Sequence, residues 1–265
     1  MEYLQKIFPI LKKAGEKTIK LQSTVESKKK EDNTWVTNAD EEIELFLKQE
    51  LKKIEPKATF VGEETKKEHS SFMWLVDPID GTKAYKQGME DYAIVISLIK
   101  NNEATLGAVY KPTTKQLFYA EKGKGSYLIE KNKRIKLQVS KRKKLQECIY
   151  IYDYRNKEPM RTVMSEIFDK TLTPLVEHRY VKSPASVGIC ELAKGSIDIV
   201  TYPGLGPWDI AGPSLILEEA KGKWTDFYGK SSKEGPSFLG TNKVIHEEVL
   251  KHITKKYKQI LKRNL

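Results

Sequence analysis

Leu4, Ile7, Phe8, Leu11, Ala14, Thr18 and Leu21 recur at the spacing of one helix face. Pro9 falls inside that pattern, so the first turn is expected to be kinked or separate. Residues 23–36 are polar and charged and read as a mobile loop or hairpin. A second helix begins near Thr37 or Asn38, either a suitable cap, and carries Ile43, Phe46, Leu47, Leu51 and Ile54 on one side. Glu41, Glu42 and Glu44 suit the positive end of its dipole and read as surface charge. Asp40 stays open between a cap and a catalytic carboxylate, since the two look identical in sequence.

Residues 58–62 pattern as a short strand ending in Glu63-Glu64-Thr65, and Phe72 to Val76 as a buried strand cut off by Asp77-Pro78. Tyr92–Ile99 and Ala104–Val109 flank an Asn101-Asn102 turn, and Gln116–Ala120 and Gly125–Ile129 extend an antiparallel meander. Past residue 136 the order changes. A strand at Cys148–Tyr152, a helix from Arg161 to Phe168, a strand near His178–Val181 and a helix over 185–195 closed by Gly195 are followed by a strand at Ile197–Val200. A helix through Leu215, Ile216, Leu217 and Ala220 ends at Gly222, and 223–240 reads as a Gly-rich hairpin region. Lys243–Leu265 closes the chain as a basic amphipathic helix with Val249, Ile253, Tyr257, Ile260 and Leu261 on its apolar side. The class is α+β: a meander, then helix–strand alternation.

The chain has 265 residues, enough for one large domain or two modest ones. With 39% hydrophobic and 31% charged residues and no long apolar run, it reads as a soluble cytoplasmic protein with no membrane span. Cys148 and Cys190 lack any C-x-x-C or Cys/His grouping and read as buried thiols, which argues against a soft-metal site. His246 and His252 read as surface residues. A net charge of +11 raises a nucleic-acid partner, but its lysines are spread along the chain without interleaved aromatics. A solvated basic surface that helps collect an anionic substrate is the preferred reading, and nucleic acid is not the expected partner.

The chemistry concentrates in Asp77-Pro78-Ile79-Asp80-Gly81-Thr82. Pro78 holds Asp77 out of the helical region, so Asp77 and Asp80 can converge beyond the strand with the Ile79 carbonyl between them. Two close carboxylates need a positive partner, and oxygen-only donors suit Mg²⁺. The N–H groups of Gly81 and Thr82 could face an anion. The plainer alternative is an Asp-Pro turn followed by a capping Asp80 or Thr82.

Gly62-Glu63-Glu64, the Asp77–Thr82 segment and Trp208-Asp209-Ile210-Ala211-Gly212, in that order, resemble the inositol monophosphatase superfamily of Mg²⁺-dependent, lithium-sensitive phosphatases. Val36-Thr37-Asn38-Ala39-Asp40 is similar to its N-terminal T-x-A-D segment. The resemblance implies a layered α/β/α/β/α sandwich of the inositol monophosphatase/fructose-1,6-bisphosphatase type. It implies a division into residues 1–140, with the antiparallel sheet and most metal ligands, and 141–265, supplying Asp209 and specificity residues. By matching motif positions, Glu63, Asp77 and the Ile79 carbonyl would hold one metal. Asp77, Asp80 and Asp209 would hold a second, and Glu63 could support a third. Asp40 would hydrogen-bond Thr82 and, with Glu64 also counted as catalytic, would orient and help deprotonate the attacking water. A homodimer is common among such phosphatases, though the sequence carries no interface signature.

For the substrate, the continuation Thr82-Lys83-Ala84-Tyr85 looks like the 3′(2′),5′-bisphosphate nucleotidase branch. Inositol monophosphatases also carry a Glu seven residues before the last metal Asp, where this chain has Tyr202. These features favour hydrolysis of adenosine 3′,5′-bisphosphate to AMP. The absence of a Lys near Gly188 counts against it, and inositol 1-phosphate or another sugar phosphate is the alternative. The candidate phosphate and substrate residues are Gly81, Thr82, Lys83, Ser183, Ser186 and Tyr202. A polyanion-binding protein on a phosphatase-like fold is the remote alternative, disfavoured because five carboxylates would repel nucleic acid.

Overall fold

The computed structural model describes residues 2–30, 35–65, 70–153, 160–181, 184–230 and 237–263. Helix α1 (Glu2–Gln22) leads to a hairpin of β1 (Ser27–Lys29) and β2 (Trp35–Thr37), and α2 (Asn38–Ile54) follows at once. Next come β3 (Thr59–Gly62), β4 (Phe72–Asp80), short α3 (Thr82–Tyr85), β5 (Ala93–Lys100), β6 (Glu103–Lys111), β7 (Gln116–Glu121), β8 (Ser126–Glu130) and β9 (Lys133–Lys136). Strands β3 to β9 form one seven-stranded sheet in chain order. Apart from the parallel pair β3–β4, it is an antiparallel meander.

The second half contains β10 (Ile149–Tyr152), α4 (Met160–Ile167), β11 (His178–Val181), α5 (Ala185–Ala193), β12 (Ile199–Pro203), α6 (Pro207–Glu219), β13 (Lys223–Thr225), β14 (Ser237–Thr241) and α7 (His246–Arg263). Its five strands lie in the order β11-β10-β12-β14-β13, parallel at one end and antiparallel at the other.

Alternation along the strands builds the layers. Trp74 and Val76 of β4 and Ile94 and Ile96 of β5 pack against Ile7 and Leu11 of α1 and Ile43 and Leu47 of α2. The opposite positions Leu75, Ala93 and Val95 join Ile189 of α5, Ile210 and Leu215 of α6, and Val200 and Phe238 of the smaller sheet. That sheet turns Tyr150, Ile199 and Leu239 toward Ile167 of α4 and Val249 and Ile253 of α7. The order is α/β/α/β/α, as the resemblance implied. No helix among the described residues is long and apolar enough to cross a membrane.

Several local expectations change. Helix α1 runs through Pro9 without a break, because Leu4, Ile7, Leu11 and Ala14 bury one face on both sides of it. In the polar stretch, Ser27–Lys29 pairs antiparallel with Trp35–Thr37. β4 does not stop at Val76 but continues to Asp80. β9, too polar to pattern as a strand, is held by its ladder to β8. His246 is no surface residue: it is fully buried between the hydroxyls of Thr225 and Thr241, at 3.1 and 2.9 Å. A neutral imidazole can pair with both, which is why burial is tolerated and holds its pKa down at about 4.

Candidate active site

β4 carries the centre of the site. Leu75 faces the α5/α6 layer, and the two-residue period of a strand puts Asp77 on that side too. In a regular strand Asp80, three residues on, would point away. The pairing with β5 instead slips between Asp77, opposite Val95, and Asp80, opposite Ala93. Three steps on β4 match two on β5, and this bulge turns Asp80 back to the side of Asp77. Pro78 sits inside the irregularity, where a residue without an N–H does least harm to the ladder. The Ile79 N–H donates to Asp77 Oδ1 at 2.9 Å, and Thr82 Oγ1 donates to the Ile79 carbonyl at 3.0 Å. Gly81 then takes a φ of 98°, which favours glycine, and opens α3.

Two helix starts converge on these carboxylates. At α6, Asp209 Oδ2 accepts the Gly206 N–H at 2.7 Å. The helix lies close on the large sheet because Gly212 meets Gly107. A Cβ on Gly107 would come within 2.4 Å of the Gly212 carbonyl, and one on Gly212 within 2.5 Å of Ser97 Oγ. Asp77, Asp80 and Asp209 thereby each offer an oxygen within 4.8 Å of the others. At α5, the N–H and hydroxyl of Ser186 donate to Asp80 Oδ2 at 2.7 and 2.5 Å. Ser186 thus holds a carboxylate here. The N–H of Glu63 donates to the Val76 carbonyl at 3.1 Å and continues the β3–β4 pairing.

Helix α2 brings up the remaining acids. Thr37 caps it, and Asp40 Oδ2 accepts from the Thr37 N–H and hydroxyl at 2.7 and 2.6 Å. Asp40 is therefore a capping residue, yet its Oδ1 is buried without a partner among the described residues. The expected Asp40–Thr82 hydrogen bond is not formed: the Thr82 hydroxyl donates to the Ile79 carbonyl, and Asp40 accepts from Thr37 through Oδ2 alone. Glu44 overturns its reading as surface charge: it is 3% exposed, and its Oε2 accepts the Glu64 N–H at 2.9 Å. The signal was present in the spacing, since Asp40, Glu44, Leu47 and Leu51 share one buried face of α2. Lys30, inconspicuous in a polar stretch, reaches Glu63 and Glu64 at 3.1 and 2.5 Å.

Burial dominates the electrostatics. It lifts Asp77 well above the usual carboxylate range, helped by Glu63, Asp80 and Asp209. Burial likewise raises Glu63, against the pull of Lys30, and Asp80, against its bonds to Ser186. Asp209 is pushed up to about 8 by burial and then by Asp80 and Glu63, and Asp40 to about 7 by burial in spite of Thr37. Acids gathered this way hold protons that a divalent cation can displace. All donors are oxygens, three of them converge, and Asp40 keeps an orphaned buried oxygen, so the set fits a hard cation such as Mg²⁺.

The other candidates fall differently. Lys83 is exposed on α3 beside Gly81 and Thr82. Tyr202 is buried on β12, and a Cβ on Gly188 of α5 would fall 1.9 Å from its hydroxyl. Its ring fills the space between α5 and β12, so it presents no open face to a substrate. Ser183 lies outside the described residues.

The profile of the inositol monophosphatase family matches residues 1–263. The fructose-1,6-bisphosphatase/inositol-1-monophosphatase of Aquifex aeolicus is 30% identical over 236 residues, 87% of this chain and 86% of that one. The Nus factor SuhB of Haemophilus influenzae is 29% identical over 245 residues, covering 89% and 90%. The solved structure of a Thermotoga maritima IMPase superposes with a TM-score of 0.89 at 26% identity, over 98% of this chain and 100% of that one. With residues 1–263 matched and Asp77, Asp80 and Asp209 folded into one cluster, the chain belongs to the inositol monophosphatase family and is a phosphatase.

Proposed function

We propose that the protein is a Mg²⁺-dependent phosphomonoester hydrolase whose substrate is a small polyol or sugar phosphate such as inositol 1-phosphate. The observation that carries the hydrolysis is the convergence of Asp77, Asp80 and Asp209 at the meeting of β4, α5 and α6. Asp77, Asp80 and Asp209 would hold one ion, and Glu63, Asp77 and the Ile79 carbonyl a neighbouring one. Bound there, Mg²⁺ supplies Lewis acidity, making water more acidic and stabilising charge on the phosphoryl oxygens. Asp40, poised at about 7, takes a proton from the attacking water through its free Oδ1, while the Thr82 hydroxyl orients that water. The N–H groups of Gly81 and Thr82, opened by the left-handed glycine, hold phosphate oxygens.

The polyol reading is favoured over the nucleotide one because packing absorbs two of the residues that pointed to a nucleotidase. Tyr85 is buried, its hydroxyl donating to the Thr18 carbonyl at 2.6 Å, and Tyr202 is enclosed against α5. The related protein of Aquifex aeolicus, whose name covers fructose 1,6-bisphosphate and inositol 1-phosphate, supports the same class. Adenosine 3′,5′-bisphosphate is kept as a second substrate by exposed Lys83, a cation placed beside Gly81 and Thr82. Phosphate release from inositol 1-phosphate, fructose 1,6-bisphosphate and adenosine 3′,5′-bisphosphate, with and without Mg²⁺ and Li⁺, tests the proposal. Preference for the polyol or sugar esters is expected. Preference for the nucleotide, together with loss of that preference in Lys83→Ala, would reverse the assignment, and no Mg²⁺-dependent release from any ester would remove it.

A further inference from the structure

The turn that presents Glu63 is fastened from three directions. The Gly62 N–H donates to Thr65 Oγ1 at 2.9 Å, the Glu63 N–H to the Val76 carbonyl at 3.1 Å, and the Glu64 N–H to Glu44 Oε2 at 2.9 Å. The first bond lies within the turn and the second belongs to the β3–β4 pairing. Glu44 supplies the third, from α2, with a side chain buried to 3% exposure. Its carboxylate fills the space where Gly62 lacks a side chain: a Cβ there would lie 2.2 Å from both Cδ and Oε2 of Glu44. A carboxylate has no reason to be buried on the apolar side of a helix unless it bonds something there. Here it bonds backbone next to Glu63.

We propose that Glu44 is a positioning residue for the metal ligand Glu63: it fixes the Gly62–Thr65 turn from α2, and Gly62 is glycine to admit it. The inference rests on the metal-dependent reading above. Asp40 and Glu44 lie one helical turn apart on α2. One helix face therefore sets both the proton-accepting carboxylate and the turn that aims Glu63.

The test is calorimetric Mg²⁺ titration of the metal-free protein, with thermal unfolding in chelator as a control on folding. Groups that orient metal ligands typically change affinity about 10–100-fold when removed, so Glu44→Ala should weaken Mg²⁺ binding about tenfold or more. Glu44→Gln keeps an acceptor oxygen for the Glu64 N–H and should stay within about threefold of the wild type. Gly62→Ala should reproduce the loss by displacing Glu44, yet change nothing further in the Glu44→Ala background, where the space is open. If Glu44→Ala fails to fold, Glu44→Gln and Gly62→Ala still decide. Unchanged affinity in Glu44→Ala or Gly62→Ala overturns the proposal, as do additive effects of the two. A Glu44→Gln as weak as Glu44→Ala also overturns it, since charge rather than the grip on the turn would then set affinity. A wild type that takes up no Mg²⁺ removes the metal reading itself, a result distinct from normal wild-type binding with unaltered variants.

Discussion

Asp209→Asn should make the metal-free protein more stable and the Mg²⁺-supplied protein inactive. Asp209 shares a space with Asp77 and Asp80 in which oxygens of all three lie within 4.8 Å. Two charges at that distance repel by about 3 kcal/mol at an effective dielectric of about 20. The folded pKa of Asp209 is about 8, far above the value of about 4 for an unfolded chain. The folded state therefore holds the proton more tightly, and stability falls as pH rises from about 4 to about 8. Asn carries no charge and escapes that loss, so the advantage of the variant is small near pH 5 and full above about pH 8. Taking one repelling pair, the gain at pH 8.5 is about 3 kcal/mol, or about 6–12 °C in Tm for a protein of this size.

Thermal unfolding in chelator and in excess Mg²⁺ reads both halves of the prediction. At 100 times its Kd, Mg²⁺ adds about 2.7 kcal/mol to whatever binds it. Wild type should gain that and Asp209→Asn little, closing the gap between them, while phosphate release from the variant falls by about 1,000-fold or more. A variant less stable than wild type in chelator at pH 8.5 would refute the reasoning, as would equal stabilisation of both by Mg²⁺.

Asp40→Asn should leave Mg²⁺ affinity within about threefold but lower kcat about 100-fold, and abolish the rise in rate as pH passes about 7. A pH–rate profile like that of wild type would remove Asp40 as the proton acceptor. Lys30→Met takes away the ammonium that stands on Glu63 and Glu64, so calorimetry should show Mg²⁺ binding about fivefold tighter. Weaker binding would mean that Lys30 assists the site. Gly212→Ala drives a Cβ to 2.5 Å from Ser97 Oγ where α6 touches β5. It should cost about 1–3 kcal/mol by chemical denaturation, with a larger fractional loss of Mg²⁺ affinity than a surface substitution causes. An unchanged unfolding midpoint would show that α6 can shift without penalty.

Much of this molecule was written in the chain. The meander from Tyr92 to Ile129 is a series of short apolar, β-branched runs punctuated by Asn101-Asn102, and turn residues with positive φ close it there. The acidic cluster was legible because its residues come in compact motifs. Asp77 and Asp80 flank a proline and an isoleucine, and Asp209 follows a helix-starting Gly206-Pro207. What patterning could not give was direction. Asp77 and Asp80 point the same way only because the ladder to β5 slips by one residue between them, a property of the pairing and not of either segment.

Other roles depended on burial, which a single residue does not announce. Glu44 looked like helix-start charge until β3 brought the Gly62–Thr65 turn against it, and His246 looked exposed until Thr225 and Thr241 closed on both its nitrogens. Tyr85 and Tyr202 suggested a substrate preference and proved to be packing. The sequence by itself determined which residues could carry the chemistry and in which elements they lie, because periodicity, turn residues and motif spacing are local. The tertiary structure alone decided which carboxylates share one space and which polar atoms pair, because those depend on strands and helix starts brought together from distant parts of the chain.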